Sequence, residues 1–193
     1  VLATSNRGKI IEIEAALPKE RFELLSQALF NTSEIEETGL TFIENAIIKA
    51  RHAASFANLP AISDDSGIVV DALKGRPGIY SARYAGKTAS SYQNIVKLLD
   101  ELKDIPWEKR TAHFYGVIVY LRYFDDPTPL VLEGRWDGYI LTEPAKNGGF
   151  GYDPIFYVPT HQCAASDLPV NEKNKISHRG QALAKLSSVW TIN

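Results

Sequence analysis

The 193-residue sequence predicts a mixed fold, α/β or α+β, and three observations lead there. Short apolar runs alternate with stretches whose apolar residues recur at helical spacing. Apolar residues make up 45% of the chain and charged residues 23%, which excludes a disordered, coiled-coil or collagen-like chain. The length suits one domain or one compact two-lobed unit, and no repeat, low-complexity tract or long linker divides it. It is read as a single domain over residues 1–193.

The elements follow in order. Residues 1–4 read as the end of a short buried strand, and Ser5-Asn6-Arg7-Gly8 as a turn-rich loop. Ile10, Ile13 and Leu17 then repeat at helical spacing until Pro18 stops the helix. A second helix opens on a capping box, Thr41 with Glu44, and carries Ile43, Ile47, Ala50, Ala54 and Ala57 as its apolar stripe. Residues 61–63 and 68–72 read as strand segments flanking Asp64-Asp65-Ser66-Gly67. Residues 74–87 are loop-like, holding Gly75, Gly78, Gly86 and Pro77. A third helix over about 90–102 shows Ile95, Leu98, Leu99 and Leu102 on one face. Two β-rich runs, 112–123 and 130–141, are joined by Asp125-Asp126-Pro127-Thr128-Pro129, a hairpin with a loop longer than two residues. A Gly-rich loop, 147–153, enters a short strand over 155–158, and the C-terminus is helical through Ile176, Leu183, Leu186 and Trp190.

Lys and Arg total 21 against 23 Asp and Glu, a formal charge of −2, whereas a duplex-binding protein ordinarily shows a basic excess. No nucleic-acid partner is expected. The one cysteine, Cys163, excludes an intramolecular disulfide and a Cys-rich zinc site, reads as a thiol without a role and fits a reducing cytoplasm. No run approaches the roughly eighteen apolar residues of a membrane span. The chain opens on Val1 rather than Met, so a few residues are expected to precede it, and its start does not read as a secretory signal.

Five groups of residues can carry chemistry. Thr4-Ser5-Asn6-Arg7-Gly8-Lys9 lies at a strand–loop–helix junction, where unpaired N–H groups and the helix dipole attract phosphate and Lys9 adds a point charge. It is no Walker A loop, since Ala3 stands where the first Gly belongs and Ile10 follows the Lys; an ordinary polar turn is the competing reading. Asp64-Asp65 are adjacent acids that repel unless a cation or donor offsets them. They suit magnesium ligation with one carboxylate activating water, against a plain turn with a capping Asp. Glu36-Glu37 could supply a further ligand or simply face solvent. Lys49 projects from the second helix on the flank of Asn45, off the apolar stripe. Gly148-Gly149-Phe150-Gly151-Tyr152-Asp153 sets two aromatics on a slender backbone, fit either to stack on a purine or to pack in the core. Ser177-His178-Arg179-Gly180 places a titratable donor beside a guanidinium, with Lys173 upstream. His52, His113 and His161 lack metal-ligand spacing. Together the five groups amount to the equipment of a nucleoside triphosphate site.

The same residues, with Glu37-Thr38-Gly39, Glu44-Asn45-Ala46 and Pro77-Gly78-Ile79-Tyr80-Ser81-Ala82-Arg83-Tyr84, resemble the motifs of the dITP/XTP pyrophosphatases, the inosine triphosphate pyrophosphatase family. They stand in the family's order over nearly the whole chain. One departure is Ser5, where the family usually has Gly; a positive φ there would strain it. The resemblance implies an elongated α/β fold with a mixed sheet, two lobes and an active cleft between them, usually as a homodimer. It implies hydrolysis of ITP, dITP and XTP to the monophosphate and pyrophosphate with Mg²⁺. By resemblance Asp65 is the general base and a metal ligand with Glu37, Glu36 and Asp64 being second choices. Lys9, Lys49 and Lys173 resemble phosphate or substrate contacts. The first loop, Ser66, Phe150, Gly151, Tyr152, Asp153, His178 and Arg179 resemble the rest of the nucleotide pocket.

Base selectivity is then a matter of hydrogen bonds. Hypoxanthine and xanthine offer a 6-oxo acceptor where adenine has a 6-amino donor, so donors such as Arg179 would be left unpaired by adenine. The alternatives are a pyrophosphatase for another modified nucleotide, a nucleotide sensor and an RNA-binding module. The paired carboxylates argue against the last two, which gain nothing from acids near phosphate.

Overall fold

The computed structural model describes residues 1–4, 6–17, 23–30 and 35–191. Two of the expectations above, on Ser5 and Pro18, fall outside them. The helices are α1 (Arg7–Ala16), α2 (Phe42–Ala57), α3 (Ser91–Glu101), α4 (Val170–Ile176) and α5 (His178–Thr191). The strands are β1 (Ala61–Val70), β2 (Thr111–Leu121), β3 (Leu130–Ile140), β4 (Phe156–Val158) and β5 (Cys163–Ala164), and they form one sheet in that order. β3 and β4 are antiparallel, with Tyr139 opposite Tyr157, and so are β4 and β5, with Val158 opposite Cys163.

Several boundaries depart from the sequence reading. α1 begins at Arg7, one residue after its N-cap, so Arg7, Gly8 and Lys9 belong to the helix and not to a loop. Residues 1–4 make only bridges, through Leu2 to Ser26 and Ile62. The stretch read as loop from Lys74 to Lys87 contains a 3₁₀ helix, Gly78–Arg83. Ile155 lies in a further 3₁₀ turn, so the short strand read over 155–158 starts at Phe156. The C-terminal helix is two helices, broken at Ser177, which is extended at φ −65°, ψ 158°.

The largest departure is β1. Asp64-Asp65-Ser66-Gly67 does not interrupt two strand segments; it lies inside one ten-residue strand. Turn propensity of Asp and Gly loses here because the carboxylates find cations within the fold and have no need to reach solvent. α2 shows a milder shift. Its capping box forms as expected, but its buried residues are Asn45, Ala46, Ala50, Ala53 and Ala54, while Ile43 and Ile47 are half-buried. Small alanines let the helix lie close, and Ser63 Oγ on β1 donates to the Ala46 carbonyl at 2.6 Å.

The chain forms two compact units. The first comprises Val1–Asp65, Gly116–Gly134 and His178–Asn193, and the second Ser66–Tyr115 and Arg135–Ser177. In the first, Leu2, Ile13, Ile62, Ile118, Leu183 and Leu186 make an aliphatic core. In the second the core is aromatic: Phe156 is fully buried, with its ring 4.7 Å from that of Phe114 and 5.2 Å from that of Trp136. Ile68, Val70, Ile95 and Leu98 close it from β1 and α3.

Candidate active site

Side chains alternate along a strand, so neighbours on β1 face opposite ways. Asp65 meets Lys49 of α2, whose Nζ donates to Asp65 Oδ1 at 2.7 Å, to Glu37 Oε1 at 2.9 Å and to the Asp64 carbonyl at 2.9 Å. Two carboxylates thus share one ammonium. Burial pulls the Lys49 ammonium down, but the charges of Asp65 and Glu37 overcome it and hold its pKa above the ordinary lysine value. Burial, with Glu37 adding to it, lifts the Asp65 carboxyl above the ordinary carboxylate value against the pull of Lys49. A carboxylate raised in this way is a better proton acceptor than an ordinary surface Asp.

Asp64 is held quite differently. Its Oδ2 accepts from Arg179 Nε at 3.0 Å and its Oδ1 pairs with Lys9, leaving the side chain 1% exposed. Burial opposes its ionisation, yet Arg179 and Lys9 hold its carboxyl far below the usual range. Arg179 Nη1 also donates to Glu12 Oε2 on α1 at 2.6 Å, a residue that no sequence motif singled out. The network therefore joins α1, β1 and the first turn of α5. Gly134 on β3 makes room for that turn: a Cβ there would stand 1.8 Å from the His178 carbonyl oxygen. His178 and Arg179 are both buried, 8% and 6% exposed.

The first loop uses its own donors. Asn6 Oδ1 accepts from the Gly8 and Lys9 amides at 3.0 and 3.2 Å, and the Asn6 amide donates to Thr4 Oγ1 at 3.1 Å. The Gly8 and Lys9 amides, expected to attract phosphate, are thus capped by Asn6, and the Lys9 ammonium is paired with Asp64. Glu36 is exposed while Glu37 is half-buried on Lys49.

In the second unit Ser66 is half-buried on β1, and Phe150 stands 56% exposed between Gly149 and Gly151, both at positive φ. Tyr152, expected among the substrate contacts, is a core residue, 5% exposed, whose hydroxyl donates to the Ser81 carbonyl at 2.8 Å. Asp153 is buried and accepts from Lys173 Nζ at 2.5 Å. Cys163 is half-buried, and burial pushes its thiol above the ordinary value, so it is no activated nucleophile.

Among the described residues no group of three or more His, Cys, Asp or Glu is gathered to hold a metal. Two carboxylates, Glu37 and Asp65, do converge with oxygens on a single cation. That donor set fits magnesium, which takes one or two carboxylates and completes its shell with phosphate and water.

Residues 1–189 match the model of the Ham1 family. The chain is 57% identical to a dITP/XTP pyrophosphatase of Photorhabdus laumondii over 95% of its length and 93% of that protein. It is 56% identical to a dITP/XTP pyrophosphatase of Vibrio parahaemolyticus, covering 96% of this chain and 93% of that one. The structure of a HAM1 protein from Coxiella burnetii superposes with a TM-score of 0.94 at 48% identity, covering 100% and 98% of the two chains. With a family model and relatives of this similarity each spanning nearly all of it, the chain belongs to the Ham1 family.

Proposed function

We propose that this protein hydrolyses ITP, dITP and XTP to the nucleoside monophosphate and pyrophosphate, clearing modified purines from the nucleotide pool. The relatives named dITP/XTP pyrophosphatase support that substrate class. The observation that carries the chemistry is Asp65, a buried carboxylate of raised proton affinity that shares the Lys49 ammonium with Glu37. Asp65 acts as general base. It accepts a proton as the oxygen of water bonds to the α-phosphorus, and the bond from that phosphorus to the bridging oxygen breaks with its electrons leaving on pyrophosphate.

Glu37 and Asp65 would hold magnesium, which on binding supplies positive charge to the phosphates and acidifies water. Lys9 and Lys49, with Lys173, meet phosphate charge. Phe150 stacks on the purine, and His178 and Arg179 offer donors to its 6-oxo group. The first loop, Ser66, Gly151 and Asp153 complete the contacts; Tyr152 contributes by holding its loop through Ser81. We further propose a homodimer in the cytoplasm. Among the described residues no helix is long and apolar enough to cross a membrane.

The test is pyrophosphate release from ITP, XTP, GTP and ATP with and without Mg²⁺. ITP and XTP should exceed GTP and ATP by at least ~10²-fold in kcat/KM: against ATP this is a fraction of the limit set by unpaired donors, while guanine shares the 6-oxo group and has to be rejected at its 2-amino group. Release of orthophosphate, or equal rates on all four, contradicts the proposal.

A further inference from the structure

Residues 39–41 give three successive backbone N–H groups to the start of α2. Those of Leu40 and Thr41 donate to Glu44 Oε2 at 2.9 and 2.8 Å, and that of Gly39 donates to Asn45 Oδ1 at 2.8 Å. A capping box requires only the bond from Thr41. The Gly39–Asn45 bond spans six residues and lies outside that motif. Asn45 is completely buried, and its Nδ2 meets no partner among the described residues. A polar side chain kept in the core with half its amide unsatisfied is retained for the other half, the Oδ1 that holds Gly39. The approach is close. A Cβ on Gly39 would lie 2.6 Å from Glu44 Cβ and 2.8 Å from Asn45 Oδ1.

Two residues before this anchor stands Glu37, and one turn after it on the same helix stands Lys49, bonded to Glu37 at 2.9 Å and to Asp65 at 2.7 Å. α2 therefore carries both the cation and the clamp on the segment that delivers Glu37 to it. We infer that Asn45 is a positioning residue which, by fixing Gly39 against α2, sets the Glu37 carboxylate beside Lys49 and Asp65. The inference rests on the proposed role of Glu37 in the chemistry.

Asn45→Ala, Glu37→Gln and the double variant test it, each measured for kcat and KM with ITP and for hydrogen exchange at the Gly39 amide. Misplacement of a reacting group by an ångström costs up to about 10²-fold, so Asn45→Ala should lose ~10-fold or more in kcat with little change in KM. The loss should vanish when Glu37 is already Gln, and the Gly39 amide should exchange faster. Gly39→Ala, which crowds the same contact while keeping Asn45, should reproduce the loss if Asn45→Ala does not fold. Losses that multiply in the double variant, or wild-type kcat in Asn45→Ala, overturn the inference and leave Glu37's role standing. Wild-type kcat in Glu37→Gln overturns both, and identifies the role of Glu37 as the faulty step.

Discussion

Asp64 and Asp65 are consecutive on β1 and answer to different cations: Asp64 to Lys9 and Arg179, Asp65 to Lys49. The strand's alternation separates them, and their environments then drive their carboxyls in opposite directions, Asp64 far down and Asp65 up. One is a fixed anion inside a network, while the other is poised to take a proton.

Asp64→Asn should cost stability. It leaves Arg179 and Lys9 facing each other without the buried charge between them, and breaking such a group typically costs about 3–5 kcal/mol. Because the folded carboxyl lies below its unfolded value of 3.8, its stabilisation is present above that value and is lost as pH falls toward the folded one. Urea midpoints of wild type and variant should differ at pH 7 and converge below about pH 4. A difference that stays constant to pH 2 contradicts this.

Phe150→Ala should raise KM for ITP and leave the melting temperature where it was. The ring is 56% exposed, so its removal opens no core cavity. A lost base stack of roughly 1–3 kcal/mol corresponds to about 5-fold or more in binding. Tyr152→Phe should do the reverse, lowering stability by roughly 0.5–1.5 kcal/mol through the bond to Ser81 and changing KM little.

Lys9→Met should raise KM more than it lowers kcat, since a ground-state triphosphate already uses the cation. It should also lower stability, because Asp64 loses one of the cations paired with it. Lys103→Met is the control: Lys103 is exposed and pairs with Asp100, three residues earlier on the chain, a contact worth little. Identical kinetics in the two variants would leave Lys9 a purely structural ion.

Gly134→Ala should reduce the preference for ITP over ATP. The added methyl collides with the His178 carbonyl and must displace the turn that carries His178 and Arg179. The ratio of the two kcat/KM values is the readout; an unchanged ratio with a lowered melting temperature makes Gly134 a packing residue alone.

Local signals in the sequence were reliable where local chemistry decides. The Thr41–Glu44 box starts α2, and the run from Asp125 to Pro129 turns the β2–β3 hairpin, because caps and turns are settled by residues a few positions apart. Distant partners left no such trace. Arg179 reaches Asp64 across 115 positions and Lys49 reaches Asp65 across 16, and these pairs turn a sequence that reads as a bend into the middle of β1. Glu12 carries no motif and is found only through Arg179. Tyr152 reads from sequence as either a pocket or a core aromatic, because a loop Tyr looks alike whether its hydroxyl meets a ligand or, as here, the carbonyl of Ser81. Asn45 reads from sequence as a flank of α2, and only the fold buries it against Gly39.

The central claim is that Asp65 is the base, and the turnover of Asp65→Asn with ITP at saturating Mg²⁺ tests it most directly. The substitution keeps volume and one oxygen while removing the charge and the proton acceptor. Because burial raises the folded carboxyl above its unfolded value of 3.8, ionised Asp65 is a cost to stability that appears as pH rises past that value. The variant should therefore melt no lower than wild type at pH 7. Its kcat should fall by roughly 10²–10⁴-fold, the usual worth of a general base. A folded Asp65→Asn protein that turns over ITP at the wild-type rate would contradict the account.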